Sequence, residues 1–86
     1  DDVIYMYGML YTMKEDYEAG LPYLEEAYGT YKNDEGYLSL YSLSLIKVGK
    51  TRNDEKMIKK ANKMYNKIKN KEGVPDIKKR LTAEFS

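Results

Sequence analysis

The side chains that most often perform enzymatic chemistry are missing from this sequence or poorly placed in it. The 86 residues contain no histidine and no cysteine, which removes imidazole bases, thiol nucleophiles and thiolate metal ligands. Glu25 and Glu26 are adjacent, so on a helix their side chains point about 100° apart. Glu15 and Asp16 are better explained as a capped turn than as a catalytic pair. We therefore expect no enzyme, no metal and no cofactor.

A row of lysines is the strongest charged feature. Spacings of three and four residues place it on one side of a helix, and its members are Lys56, Lys59, Lys60, Lys63 and Lys67. Residues 1–43 carry nine acidic and two basic residues, net −7, whereas residues 44–86 carry five acidic and thirteen basic residues, net +8. The row could meet nucleic acid or an acidic protein, or could simply be solvated. Because it holds only lysine and no stacked aromatic pattern, nucleic acid is disfavoured. The opposite charges of the two halves leave self-association open.

The elements that would carry these residues are helices. Hydrophobic periodicity predicts five of them, over residues 3–13, 17–33, 35–48, 52–70 and 77–85. The third is ambiguous, because apolar residues between 38 and 45 alternate as in a strand, although Leu38, Tyr41, Leu45 and Val48 also fit a helix. We favour a helix. No apolar run is long enough to cross a membrane.

Capping residues mark the expected helix ends. Aspartates before four of the helices are predicted to be N-caps: Asp1 and Asp2 for the first, Asp16 for the second, Asp34 for the third and Asp76 for the fifth. Before the fourth helix, residues 51–54 resemble a capping box. Gly49 and Gly73 are predicted to stop the third and fourth helices, with Pro75 after the second stop. Pro22 should bend or fray the start of the second helix, unless that helix begins regularly near Leu21.

Small residues recur where two antiparallel helices would approach closely. Shifting the first helix pair by 34 residues aligns several slots: Ile4 with Leu38, Tyr7 with Tyr41, Gly8 with Ser42, Tyr11 with Leu45, Leu24 with Ile58 and Ala27 with Ala61. Two positions depart from the pattern, because the second unit has Asp54 where the first has Gly20, and Thr51 where the first has Tyr17. This 34-residue helix-turn-helix repeat resembles the tetratricopeptide (TPR) family. The long fourth helix and the linker KNKEGVPD are similar to the TPR-like domains of bacterial peptide-pheromone-sensing regulators.

The resemblance implies an all-α fold, in which antiparallel helix-turn-helix pairs stack as a short TPR-like solenoid with a C-terminal capping helix. Residues 1–34 would form repeat one, 35–71 repeat two and 75–86 the capping helix of a single domain. The absence of an initiator methionine indicates a fragment of a longer protein.

The resemblance also implies a place for a partner, because the first helix of each TPR pair lines the concave surface. The positions expected there are Tyr5, Met9, Thr12, Met13, Ser39, Leu43, Ile46 and Lys47. The same residues could instead pack on a neighbouring repeat. A clamp for a C-terminal carboxylate is disfavoured, since of these residues only Lys47 carries positive charge.

We therefore expect a protein-binding or short-peptide-binding module of a larger intracellular regulator or scaffold. One alternative is a structural end cap or dimerisation segment of a larger α-solenoid. A second is a nucleic-acid-contacting domain that uses the lysine row. The lack of cysteine fits a reducing compartment, and a cytoplasmic location is expected.

Overall fold

The computed structural model describes residues 2–70 and 75–85, which form five α-helices packed in contact. The helices are α1 (Asp2–Met13), α2 (Tyr17–Tyr31), α3 (Glu35–Arg52), α4 (Glu55–Ile68) and α5 (Pro75–Phe85). Turns of two or three residues join the first four helices, a loop length that is typical of antiparallel helix pairs. The predicted all-α class is confirmed, and the described residues contain no strand. Solenoid stacking of the two pairs stays a prediction.

Helix α3 is the centre of the molecule. It contacts all four other helices, and 12 of its 18 residues are buried. This burial on every side explains why its sequence has no clear apolar stripe, since a helix that is covered all round has no polar face to show. The segment that looked ambiguous between strand and helix is therefore a fully packed helix.

The buried serines of α3 are compatible with this core because each has a hydrogen-bonding partner. Ser39 donates to the Glu35 carbonyl at 2.9 Å within its own helix. Ser42 donates to the Ala61 carbonyl of α4 at 3.0 Å, and the Ser44 hydroxyl lies 3.1 Å from that of Thr12 in α1. Buried hydroxyls with such partners avoid the cost of desolvation without compensation. They also fix how α1 and α4 sit on α3.

Close approach of α1 and α2 depends on two glycines. A β-carbon at Gly8 would lie 2.7 Å from Leu24 Cδ2, and one at Gly20 would lie 3.1 Å from the Gly8 carbonyl oxygen. The small residues predicted at this contact are therefore where the helices touch. Leu24 and Ala27 are almost fully buried beside them.

The turn between α3 and α4 differs from the prediction. Gly49 does not stop α3, which continues to Arg52 and ends at Asn53 in the left-handed conformation, with φ 54°. Gly49 is instead a contact point, since a β-carbon there would lie 3.0 Å from Ile58 Cγ1. The predicted capping box is also wrong. Thr51 lies inside α3, and Asp54 caps an α4 that begins at Glu55.

The remaining boundaries agree in part with the prediction. Asp16 caps α2, which begins at Tyr17 with Pro22 inside the helix, so the alternative start near Leu21 is wrong. Helices α2 and α4 end two residues earlier than predicted. Asp76 was predicted as a cap but lies within α5. Gly73, Asp1 and the side chain of Phe85 lie outside the described residues.

Candidate functional site

Half of the residues predicted to line a concave surface are inside the protein. Thr12, Ser39, Leu43 and Ile46 are each at most 2% exposed. Thr12 is held by its contact with Ser44 and by its own hydrogen bond to the Gly8 carbonyl, at 2.8 Å. A partner has no access to these four side chains in this conformation. The predicted surface is therefore not a continuous groove.

Helix α5 explains much of this burial. Glu84 of α5 pairs with Lys47 at 2.7 Å and with Lys50 at 3.2 Å. Because helical positions four residues apart share a face, Leu43 and Ile46 lie on the side of α3 that these lysines present to α5. Ile77 and Leu81 of α5 are buried as well. The C-terminal helix thus occupies the side of α3 that the sequence assigned to a partner.

Lys47 is engaged within the chain. Its hydrogen bond to Glu84 raises the pKa of the Lys47 ammonium, and the same bond lowers the pKa of the Glu84 carboxyl. The ammonium also lies 5.8 Å from the centre of the Tyr17 ring. These contacts connect α3 to α5 on one side and to the start of α2 on the other.

Tyr5 is part of a cluster of tyrosine rings at the end of the first hairpin. Its ring centre lies 4.6 Å from that of Tyr31 and 5.5 Å from that of Tyr37. Burial raises the pKa of Tyr5 to about 12 and also raises the pKa of Tyr37. The Tyr31 hydroxyl donates to Asp2, and the Tyr37 hydroxyl donates to the Leu24 carbonyl. The cluster holds α1, α2 and α3 together, and only part of Tyr5 reaches the surface.

Met9 and Met13 do remain at the surface, and they belong to a larger apolar area. Among the described residues, six of the seven exposed large hydrophobic side chains lie on α1, and each is 38–60% exposed. We call this area the α1 face, and it consists of Val3, Met6, Tyr7, Met9, Leu10 and Met13. At about 100° per residue, these side chains cover nearly half of the helix circumference.

The α1 face continues onto α2 through stacked tyrosines. Tyr23 of α2 has its ring centre 5.6 Å from that of Tyr7 and 5.7 Å from that of Tyr11. On the other side, Met6 and Met9 border a shallow hollow of about 360 Å³ that also involves Tyr5 and Tyr31. The accessible apolar surface therefore spans α1 and the adjoining edge of α2.

The sequence interpretation missed four residues of the α1 face. Val3, Met6 and Leu10 fitted neither the helix-packing slots nor the expected concave positions, and Tyr7 was assigned to a packing slot but is 49% exposed. A signal was present, because α1 has apolar residues on nearly all sides and such a helix should be covered on more than one side. Within the described chain, its main packing contacts are with α2 and α3.

All five lysines of the predicted row are exposed on α4, but they do not share one environment. Lys60, Lys63 and Lys67 border a hollow between α2 and α4, whose floor is apolar. Lys56 lies beside the turn that precedes α4. Lys60 donates to the Tyr41 hydroxyl at 3.0 Å, and this hydrogen bond raises the pKa of the Lys60 ammonium.

Among residues 2–70 and 75–85, no group of three acidic, histidine or cysteine side chains is placed to hold a metal ion. Over the same residues, no helix combines the length and the apolar character needed to cross a bilayer.

Comparisons with protein-family models, with curated proteins and with solved structures give no match to this chain. The resemblance to TPR repeats stays a prediction.

Proposed function

We propose that this chain is a protein-interaction module and that its α1 face holds an amphipathic helix of the partner protein, within a longer regulator or scaffold. The observation that carries the proposal is the row of six large apolar side chains exposed on one helix. Soluble proteins seldom leave such a continuous apolar area uncovered unless it binds something. Helix-in-groove recognition uses apolar anchors at the spacing that this helix offers.

The side chains of the α1 face suit an adaptable contact. Three of the six are methionines, Met6, Met9 and Met13, whose flexible thioethers fit partners of different shape. Tyr7 and the neighbouring Tyr23 add rigid aromatic area of the kind enriched in interface centres. The net charge of −7 on residues 1–43 favours a partner helix with basic flanks.

The principal alternative uses the same surface. If the chain continues before Asp1, the α1 face can pack on a preceding helix, as in an end cap of a larger α-solenoid. The two functions differ in what the chain does in solution. A binding module takes up a separate helix, whereas a stacking surface is satisfied only within its own polypeptide.

The test is a titration with a labelled helical peptide of about 18 residues, with leucine on one face and lysine on the other. Its control is a scrambled peptide of identical composition, which keeps the charge and lacks the apolar face. We expect anisotropy to report saturable binding of the first peptide only. A double substitution, Met6→Glu with Leu10→Glu, should abolish it while circular dichroism stays helical, because both positions are exposed.

The matched control variant is Asn62→Glu with Ala83→Glu, which adds the same charge at exposed positions of α4 and α5 rather than on α1 or the adjoining edge of α2. It should bind as the unaltered chain does. Added negative charge would strengthen a purely electrostatic attraction to a basic peptide, so a loss in the α1 variant must come from apolar contact. Equal binding of both peptides, retained binding in the α1 variant, or no binding to the unaltered chain would each refute the proposal.

A further inference from the structure

The second site lies on another side of the molecule and does not depend on the α1 face. Helices α2 and α4 flank a hollow of about 310 Å³ above α3, which we call the α2–α4 hollow. Its apolar lining is formed by Tyr28, Leu38 and Met64. A second hollow of about 270 Å³ shares Leu38 and Lys67 with it and extends toward Lys32 at the end of α2, where Glu35 also lines it. Together they are large enough for several side chains of a ligand.

The border of this hollow is positively charged. Lys60, Lys63 and Lys67 come from successive turns of α4 and line one side of it. Lys60 is positioned by its hydrogen bond to the Tyr41 hydroxyl, and its ammonium lies 5.3 Å from the centre of the Tyr41 ring. Among the described residues, Lys63 and Lys67 form no ion pair with an acidic side chain. Both side chains are exposed, so a ligand can reach their ammonium groups.

We propose that the α2–α4 hollow binds an acidic peptide, which places one large apolar side chain against Leu38 and Met64 and its carboxylates against Lys60, Lys63 and Lys67. The arrangement of charge around an apolar floor supports this ligand. A peptide can place an apolar side chain between carboxylates. A nucleic acid presents its phosphates along a backbone and needs cations that follow it.

The lysines do not contribute equally. Glu25 of α2 lies close enough to Lys60 to help raise its pKa, so part of the Lys60 charge is already balanced. Lys60 is further occupied by Tyr41. Recognition of the ligand's carboxylates thus falls mainly on Lys63 and Lys67, which makes this pair the right target for substitution.

The experiment is an anisotropy titration of the intact chain with a short fluorescein-labelled peptide in which glutamates flank a central Leu-Phe pair. One control peptide has glutamine in place of glutamate, and another has serine in place of Leu-Phe. We expect both controls to bind at least about tenfold more weakly. The first lacks the charges that meet the lysines, and the second lacks the group that fills the apolar floor.

The test variant is Lys63→Glu with Lys67→Glu, and its matched control is Lys56→Glu with Lys59→Glu. Both change the same charge on the same helix, but Lys56 and Lys59 do not line the hollow. We expect the first variant to lose at least about tenfold in affinity, and the second to change by no more than about twofold. Circular dichroism should be unchanged in both, because all four side chains are exposed.

Competition with a single-stranded oligothymidylate separates a built site from a generally basic surface. The proposal predicts that the oligonucleotide does not displace the peptide at an equal concentration. Displacement by the oligonucleotide would contradict an acidic-peptide site in the hollow. Equal weakening of peptide binding in both lysine variants would contradict it as well. Binding of the serine peptide as tightly as the Leu-Phe peptide would refute the apolar anchor.

Discussion

Replacement of Gly8 by alanine tests the close packing of α1 on α2. The added β-carbon would lie 2.7 Å from Cδ2 and 2.8 Å from Cγ of Leu24. Leu24 is fully buried, and its carbonyl accepts the hydrogen bond of the Tyr37 hydroxyl. Neither the side chain nor the backbone of Leu24 can move away without disturbing the contact between α2 and α3. Gly8→Ala should therefore strain the core.

The magnitude follows from two opposing effects. Alanine in place of glycine inside a helix stabilises by about 1 kcal/mol, whereas overpacking a filled core destabilises by about 1–3 kcal/mol. Gly29 of α2 isolates the first effect, because a β-carbon there meets nothing within 4 Å. The helix-propensity gain then largely cancels in the comparison. We expect Gly8→Ala to be about 1–3 kcal/mol less stable than Gly29→Ala.

The assay is urea unfolding followed by far-ultraviolet circular dichroism. With a slope of about 1 kcal/mol per molar for a domain of this size, the two midpoints should differ by about 1 M or more. Gly29→Ala should lie at or above the midpoint of the unaltered chain. If Gly8→Ala is as stable as Gly29→Ala at an unchanged slope, α1 does not approach Leu24 as closely as the structure has it.

Two further substitutions test the position of α5 on α3. Glu84→Gln removes the pairs with Lys47 and Lys50 and should lower the free energy of unfolding by about 0.5–1 kcal/mol at neutral pH, since both partners are partly exposed. Because these pairs lower the pKa of Glu84 in the folded state, its contribution is present above the unfolded pKa of about 4.3. It is lost as the pH falls through the folded value, so urea midpoints of the two proteins should converge at about pH 2; a constant gap would refute the pairing. Leu43→Glu buries a charge at a position that is 0% exposed and should abolish the helical dichroism, whereas Met9→Glu at the surface should leave it intact. A folded Leu43→Glu chain would mean that α5 leaves this side of α3 open.

Much of the fold could be predicted from local signals. Helix α1 was expected over residues 3–13 and spans Asp2–Met13, and the predicted caps Asp16 and Asp34 occur directly before α2 and α3. The small slots at Gly8 and Gly20 were also assigned correctly to a helix contact. These features depend on neighbours along the chain or on a simple repeat, which a sequence displays directly.

The errors arise where a tertiary contact overrides a local rule. Gly49 resembles a helix stop, but α4 packs against α3 there, and a β-carbon at this position would lie only 3.0 Å from Ile58 Cγ1. Helix α3 is about one turn longer than predicted and α4 about one turn shorter. Ala27 and Ala61, which are 34 residues apart, are nevertheless both almost completely buried, so the repeat pattern does not depend on where the loop falls.

The candidate site was less predictable, because it depends on how helices far apart in sequence are arranged. Helix α5 packs on the side of α3 that carries Leu43 and Ile46, and both side chains are buried. The hydrophobic pattern of residues 35–48 contains no signal for this contact. The α2–α4 hollow combines Tyr28, Leu38 and Met64 from three helices. The lysine row itself was visible in the sequence, but the apolar floor beside it was not.

The central position of α3 limits which helices can be removed from the molecule or added to it. Consensus repeat arrays are lengthened or shortened one unit at a time, because each unit touches only its neighbours. Here α3 contacts α1, α2, α4 and α5, so deleting any one of these four helices would expose part of the apolar surface of α3 to water. Transfer of either proposed binding surface to a new scaffold would therefore have to include α3.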